Sequence, residues 1–226
     1  MATATIEEYL EAIYTMASEG QPPIGARLAE RLSVSPPTVT DTLQRMQKQG
    51  LITLTVRKEI CLTERGREVA ETLTRRHRLS ERWLTDVLGL NWARVHEEAC
   101  KLEHAISAEV EERLSESLGR PTTCPHGNPI PGTPGEAPPA DLLTLDRVAA
   151  GGRVVVERIS EAAESDARLL QYLERQGVRP GAELFVEEVV PPDGPIVMRA
   201  GEHTAALGKE AATKIWVRPA ETPAVS

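Results

Sequence analysis

Two consecutive prolines inside otherwise helix-forming sequence, Pro36 and Pro37 in "ARLAERLSVSPPTVTDTLQRMQKQGL", constrain this chain more than any other feature. Proline has a fixed φ and no N–H, so in a helix interior it removes a hydrogen bond and clashes with the preceding turn. Only the opening turn of a helix accepts it. A helix must therefore start at Pro36, after the short turn Ser33, Val34 and Ser35, and Gly50 is placed to end it with a left-handed C-cap. A second helical pattern precedes that turn. Ala29 is small where the two helices approach, and Leu28, Leu32, Val39, Leu43 and Met46 supply apolar faces. The result is a helix-turn-helix, whose second helix enters the major groove of DNA. Helical hairpins that bind only protein share the layout.

The next segment narrows the choice. "LITLT" and "ICLT" are β-rich runs joined by "VRKE", and Thr63 then opens another helix. A hairpin with a basic tip completes a winged helix. Arg57 and Lys58 at the tip are expected to reach phosphates. The exposed start of the second helix offers Ser35, Pro37, Thr38, Thr40, Asp41 and Thr42 to phosphates or base edges. The net charge of −8 opposes DNA binding only until it is located: residues 27–78 hold eleven Lys or Arg against six acids, and residues 79–118 hold four against nine. A basic segment faces phosphate while an acidic one remains to bind cations.

Upstream, residues 5–19 place Ile6, Tyr9, Leu10, Ile13 and Tyr14 at helical spacing, with Thr5 and Glu8 in a capping-box pattern. Glu8 and Glu11 share a neighbouring stripe, where a favourable helix dipole alone would account for them. At 226 residues the chain is expected to hold at least two domains. No apolar run approaches the ~18 residues of a membrane span, so no membrane partner is expected. The start "MATATIEEYLEAIY" lacks the basic and apolar regions of a secretory signal, which points to the cytoplasm. Three cysteines without a CxxC pair, Cys61, Cys100 and Cys124, suit a reducing compartment.

A long helix is expected from Glu64 to Leu88, ending at Gly89 and carrying His77 and Glu81 at i and i+4. Asn91 is expected to cap the following helix, which contains "VHEEACKLEH". On that helix His96, Cys100, Glu103 and His104 fall on one stripe, so a shared ligand is geometrically permitted. A solvated charged stripe is the competing reading. The thiol argues against it, because burying Cys100 would draw Glu103 and His104 into a place where they need a partner.

Taken together, the winged-helix segment, the block "RRHRLSERWLTDVLGLNWARVHEEACKLEHAISAEVEERL" and "GNPIPG" resemble the diphtheria-toxin-repressor family of iron- or manganese-activated bacterial regulators, over nearly the whole chain. The resemblance implies a primary metal site from Glu8 with Cys100, Glu103 and His104. Iron-responsive members typically carry Met in place of Glu8; manganese-responsive members carry an acid there and often Glu in place of Cys100. This chain is a hybrid. Glu11, which matches an acidic ligand in some manganese members, tilts the choice towards Mn²⁺ over Fe²⁺, with Zn²⁺ or Co²⁺ expected to substitute in vitro. A second site is implied at His77, Glu81 and His96 with an acid from the last domain. In relatives sharing "CPHG", it lies instead at Glu81, Cys124 and His126 with an acid that aligns best with Asp166. Both versions can coexist.

"TPGEAPPADLL" marks a Pro-rich linker. Beyond it, "RVVVERIS", "ELFVEEVV", "PIVMRA", "HTAALG" and "KIWVRP" read as short strands, with one helix over residues 165–176, and a small β-barrel is the natural packing. The resemblance implies an SH3-like domain there. The expected class is α+β: a winged helix-turn-helix DNA-binding domain over residues 1–73, a helical metal-binding and dimerisation domain over 74–132, the linker over 133–143 and the SH3-like domain over 144–226. The implied function is a homodimeric, metal-dependent regulator on a palindromic operator in double-stranded DNA, and two other functions compete with it. One is a metalloenzyme, disfavoured because no separate nucleophile or general base stands out. The other is a winged-helix interaction module with a structural metal.

Overall fold

In the computed structural model, which describes residues 3–133, 141–191 and 194–220, the chain folds as two compact units. The first comprises Met1–His77 and Cys100–Glu112, the second Arg78–Ala99 and Arg113–Ser226. This partition differs from the linear boundaries expected from sequence. Three helices, α4 (Glu64–Asp86), α5 (Val95–Leu102) and α6 (Ala108–Ser117), each have residues in both units.

In the first unit, α1 spans Ala4–Ser18. Its N-cap is Thr3, whose carbonyl accepts from the N–H groups of Ile6 and Glu7 at 2.8 and 3.0 Å. Thr5 therefore lies inside the helix and the Thr5/Glu8 capping box does not form; Ala4, the strongest helix former, carries the helix further back. The helix-turn-helix follows as α2 (Gly25–Arg31) and α3 (Pro36–Lys48). Pro36 and Pro37 occupy the opening turn of α3, and the Ser35 hydroxyl caps it by accepting from Thr38 N–H at 3.3 Å. The turn between the helices passes through Ser33 at φ +52°, a left-handed position that usually selects glycine. Gly50 takes the left-handed C-cap at φ +68°. Strands β1 (Ile52–Leu54) and β2 (Ile60–Leu62) pair antiparallel as the wing, and Arg57 and Lys58 are exposed at its tip.

Ile6, Leu10, Leu28 and Met46 are fully buried where α1, α2 and α3 meet. Each such side chain stabilises the fold by roughly 1.5–3 kcal/mol relative to exposure. Thr63 locks the wing to α4, its hydroxyl donating to Gly50 O at 2.7 Å and accepting from Gly66 N–H at 3.1 Å. Gly66 then passes so close to β1 that a Cβ there would sit 2.0 Å from the Leu51 carbonyl oxygen.

The second unit holds an antiparallel six-stranded sheet in the order β3-β8-β4-β5-β6-β7. The strands are β3 (Leu143–Thr144), β4 (Arg153–Ile159), β5 (Glu183–Val189), β6 (Ile196–Ala200), β7 (His203–Leu207) and β8 (Ile215–Pro219). Val154, Val156, Val186, Met198, Ala205 and Val217 turn one face into a core with Trp92. The helix expected over residues 165–176 is α8 (Ala167–Arg175), and the short helices α7 (Glu161–Glu164) and α9 (Lys209–Ala212) accompany it. Asn91 caps a turn instead of α5, its side-chain oxygen accepting from Ala93 N–H at 3.0 Å, and α5 starts four residues later. Most of the expected linker, residues 134–140, lies outside the described residues. Among the described residues no helix is long and apolar enough to cross a membrane.

Two substitutions in the first unit should act in opposite directions. Gly66→Ala is expected to destabilise by about 1–3 kcal/mol through overpacking. Ser33→Gly is expected to stabilise by about 1 kcal/mol by relieving a left-handed non-glycine residue. Urea titration of each variant checks both signs.

Candidate metal centres and DNA-facing surface

On α3 the side chains divide by helical phase. Ser35, Pro37, Thr38, Thr40 and Asp41 are exposed, whereas Thr42 is 4 % exposed on the stripe of Val39, Leu43 and Met46. Thr42 thus belongs to the core, a correction to the expected DNA-facing set. The exposed hydroxyls are already oriented: Ser35 and Thr38 share a 2.8 Å hydrogen bond, and Thr40 donates back to Pro36 O at 3.1 Å.

The first unit gathers one group of ligating side chains. Donor atoms of Glu11 on α1, His77 on α4 and Glu103 after α5 all lie within 4.8 Å of one another. His77 Nδ1 is 2.5 Å from Glu103 Oε2, both side chains 2 % exposed, and Cys100 Sγ is 4.0 Å from the same nitrogen. The expected single stripe of Cys100, Glu103 and His104 is interrupted, because α5 ends at Leu102 and the last two residues sit in the turn beyond it. That turn lets Glu103 reach in two directions, towards His77 and, through Oε1, to His104 Nε2 at 3.3 Å. His104 Nδ1 donates to Glu7 Oε2 at 2.9 Å. Glu8 is exposed and stands outside the donor group. Residues advance by about 100° along a helix, so Glu7 and Glu8 flank Glu11 at about 40° and 60° on opposite sides, and the flank of Glu7 is the partly buried one while Glu8 is exposed. Sequence reading missed Glu7, although its i, i+4 relation to Glu11 was the signal.

The second unit holds a separate, more deeply buried group. Donor atoms of Glu81 on α4, Cys124 and His126 on the "CPHG" loop and Glu164 at the end of α7 lie within 4.8 Å of one another, and all four residues are buried. The acid from the last domain is thus Glu164. Asp166, the residue that aligned best, is spent as the N-cap of α8, its Oδ1 accepting from Arg168 and Leu169 N–H at 3.1 and 3.0 Å. An Asp directly before an apolar-periodic run is a cap signal, which could have excluded it. His96 approaches from α5, its Nδ1 3.6 Å from Glu81 Oε1 and 3.3 Å from Glu164 Oε2.

The loop is built to hold this group. Gly127 at φ +87° lies flat on β4, where a Cβ would meet the Glu157 carbonyl at 2.1 Å. Ile159 N–H donates to His126 O at 2.8 Å, and Asn128 Nδ2 donates to Glu164 Oε1 at 2.6 Å. His126 Nε2 donates to Trp92 O at 3.0 Å, which orients the ring with Nδ1 turned inwards. That Nδ1 is buried without a hydrogen-bond partner, 3.5 Å from one oxygen each of Glu81 and Glu164.

Electrostatics shows what the pocket lacks. Burial opposes charge on His126, but Glu164 and Glu81 outweigh it and hold its pKa well above the ordinary value. Burial, then Glu81 and Glu164, push the Cys124 thiol up to about 11. Burial likewise opposes charge on Arg78, yet Glu161, Cys124 and Glu164 raise its pKa, and it pairs with Glu161 at 3.0 Å. A buried set of two carboxylates, a thiol and an inward imidazole nitrogen attracts positive charge from every side. The donor set fits a divalent transition metal.

Comparison with known proteins gives the family. Residues 1–59 match the family described as iron dependent repressor, N-terminal DNA binding domain; residues 63–132 match iron dependent repressor, metal binding and dimerisation domain; residues 143–219 match the FeoA domain, which is SH3-like. Over 223 residues the chain is 42% identical to iron-dependent repressor IdeR of Mycobacterium tuberculosis, covering 94% of this chain and 96% of that protein. The chain belongs to the diphtheria toxin repressor family. Another family member, the diphtheria toxin repressor of Corynebacterium diphtheriae, is 37% identical over 201 residues, covering 86% of this chain and 88% of that protein. Among solved structures, a manganese-dependent transcriptional repressor in complex with manganese matches with a TM-score of 0.85 at 34% identity, over 95% of this chain and all of that one (100%). ScaR with bound Zn²⁺ matches at 0.79 and 28%, over 95% and 99%.

The two acids near α8 should separate cleanly. Asp166→Ala is expected to cost about 1 kcal/mol of unfolding free energy as a lost cap, with Zn²⁺ affinity unchanged. Glu164→Gln should weaken Zn²⁺ binding at least tenfold. Calorimetric titration of both variants reads the difference.

Proposed function

We propose that the chain is a homodimeric, metal-activated transcriptional repressor that reads a palindromic DNA operator. The observation that carries this reading is the convergence of Glu11, His77 and Glu103 inside the unit that also holds the winged helix. Exposed Ser35, Pro37, Thr38, Thr40 and Asp41 would contact the duplex from α3, and Arg57 and Lys58 would contact backbone phosphates from the wing. Of the proposed domain boundaries near 73, 132 and 143, the matched ranges support the last two, whereas the first two matches meet between residues 59 and 63. A DNA partner supports the cytoplasm as the proposed site of action, and the chain acts by binding rather than by catalytic turnover.

In this reading Glu11, His77, Cys100, Glu103 and His104 form the activating site. Glu8 enters the set from the family resemblance alone. A divalent cation bound there supplies the positive charge that lets these acids stay together. Glu11 then anchors α1, and with it the helix-turn-helix packed on α1, to His77 and Glu103. The donors hold one arrangement of the reading head, and affinity for DNA follows from that selection. A dimer of such heads spans half-sites about 34–36 Å apart. Relatives are named for iron and for manganese. Two carboxylates favour Mn²⁺ and the Cys100 thiol favours Fe²⁺ or Zn²⁺; the acid at Glu11 supports Mn²⁺ as the regulatory ion. Uptake genes for that metal are the proposed targets.

Gel-shift titration of an operator fragment with Mn²⁺, Fe²⁺ and Zn²⁺ tests this. Metal should raise affinity at least tenfold, and Glu103→Gln or His104→Ala should abolish the increase while circular dichroism remains native. A normal metal response in those variants would remove the site assignment, and equal binding without metal would remove the function. Cys100→Glu is expected to shift the response towards Mn²⁺ and away from Zn²⁺.

A further inference from the structure

We propose that Asp41 on α3 determines base specificity, its carboxylate accepting from the N4 amino group of one cytosine in the major groove of each half-site. The proposal rests on reading the chain as a DNA-binding repressor and names one base pair of the sequence it reads.

On the exposed front of α3, Asp41 is the polar side chain that the helix itself does not occupy. The hydroxyls beside it are engaged locally: Ser35 and Thr38 share a 2.8 Å hydrogen bond, and Thr40 donates to Pro36 O at 3.1 Å. The exposed Asp41 carboxylate has no hydrogen-bond or ion-pair partner among the described residues, Arg45 one turn on included. Helix stability does not account for the residue either. Asp is a weak helix former in an interior, and α3 begins at Pro36, so Asp41 lies beyond the first turn, where an acid would gain from the helix dipole.

Position and charge then define the target. The N-terminal residues of a recognition helix meet base edges, and Asp41 follows Thr38 and Pro37 at helical spacings of three and four, on their side of the helix. A carboxylate only accepts hydrogen bonds and is repelled by phosphate, so it gains nothing from the DNA backbone that Arg and Lys exploit. In the major groove only cytosine and adenine present amino donors. Adenine sets its N7 acceptor beside the amino group, a pattern that suits the amide of Asn or Gln and opposes a second anionic oxygen. Cytosine has no such acceptor on that edge, and an acid accepts from its N4. Asp41 therefore favours a C·G pair and penalises the other three. A twofold dimer repeats the choice, so the same cytosine recurs in both half-sites.

The test selects binding sites from a DNA duplex library with a randomised centre, using the full chain with Mn²⁺, Fe²⁺ and Zn²⁺ in parallel. The unaltered protein should enrich a palindrome with a fixed cytosine in each half. Exchanging that C·G pair should lower affinity about tenfold in gel shifts, whereas in Asp41→Ala the same exchange should change it by less than about twofold. Asp41→Asn should prefer adenine at that position, with circular dichroism native in both variants. Unchanged base preferences in the two variants overturn the role of Asp41 while leaving the chain an operator-reading repressor. Sensitivity to Asp41 at a position where the unaltered protein prefers another base overturns the cytosine assignment. Enrichment of no sequence by the unaltered protein with any of the three metals overturns the repressor reading together with this proposal.

Discussion

Carboxylates brought close to one another are the constraint on which both sites depend. Partly buried Glu11 with buried Glu103 in the first unit, and buried Glu81 with buried Glu164 in the second, have donor atoms within 4.8 Å of one another. Removing such groups from water is costly unless positive charge accompanies them. In the second unit the protein's own answer is partial. His126 is driven towards its protonated form, and Arg78 is engaged by Glu161 as well as by the pocket. The fold thus stores a demand for cations in residues whose backbone is fixed by other interactions: Gly127 against β4, Asn128 on Glu164 and Trp92 on His126.

The order of events in the fold follows from which contacts are local. Pro36, Pro37 and Ser35 decide α3 without help from distant residues, and Thr63 decides where α4 begins. The ligand groups are the opposite case. Glu11, His77 and Glu103 come from α1, α4 and the turn after α5, and Glu81, Cys124 and Glu164 from α4, the "CPHG" loop and α7. Their convergence is a product of the core, so the chemistry arrives last and inherits its precision from apolar packing around Ile6, Leu10 and Met46 in one unit and the sheet in the other.

This division explains what was legible in the sequence. The helix-turn-helix and the wing could be read because proline, glycine and capping hydroxyls act within a few residues. The five main C-terminal strands could be read from alternation. Which acid on a helix faces a site could not be read as easily, because a shift of one residue changes the side. Glu7 accepts from His104 where Glu8 was the expected acid on α1, and Glu164 enters the buried group where Asp166 was expected. Thr42 was misplaced for the same reason, its hydroxyl suggesting DNA while its helical phase put it in the core. The turn after Leu102 was invisible to a stripe argument that assumes an unbroken helix.

The hydrogen bond from His104 to Glu7 decides which end of that ring is available. With Nδ1 donating to a carboxylate at 2.9 Å, Nε2 is left facing Glu103, 3.3 Å from its Oε1. A carboxylate behind an imidazole fixes the ring's orientation and raises its basicity, so α1 contributes to this site through Glu7 as well as through Glu11.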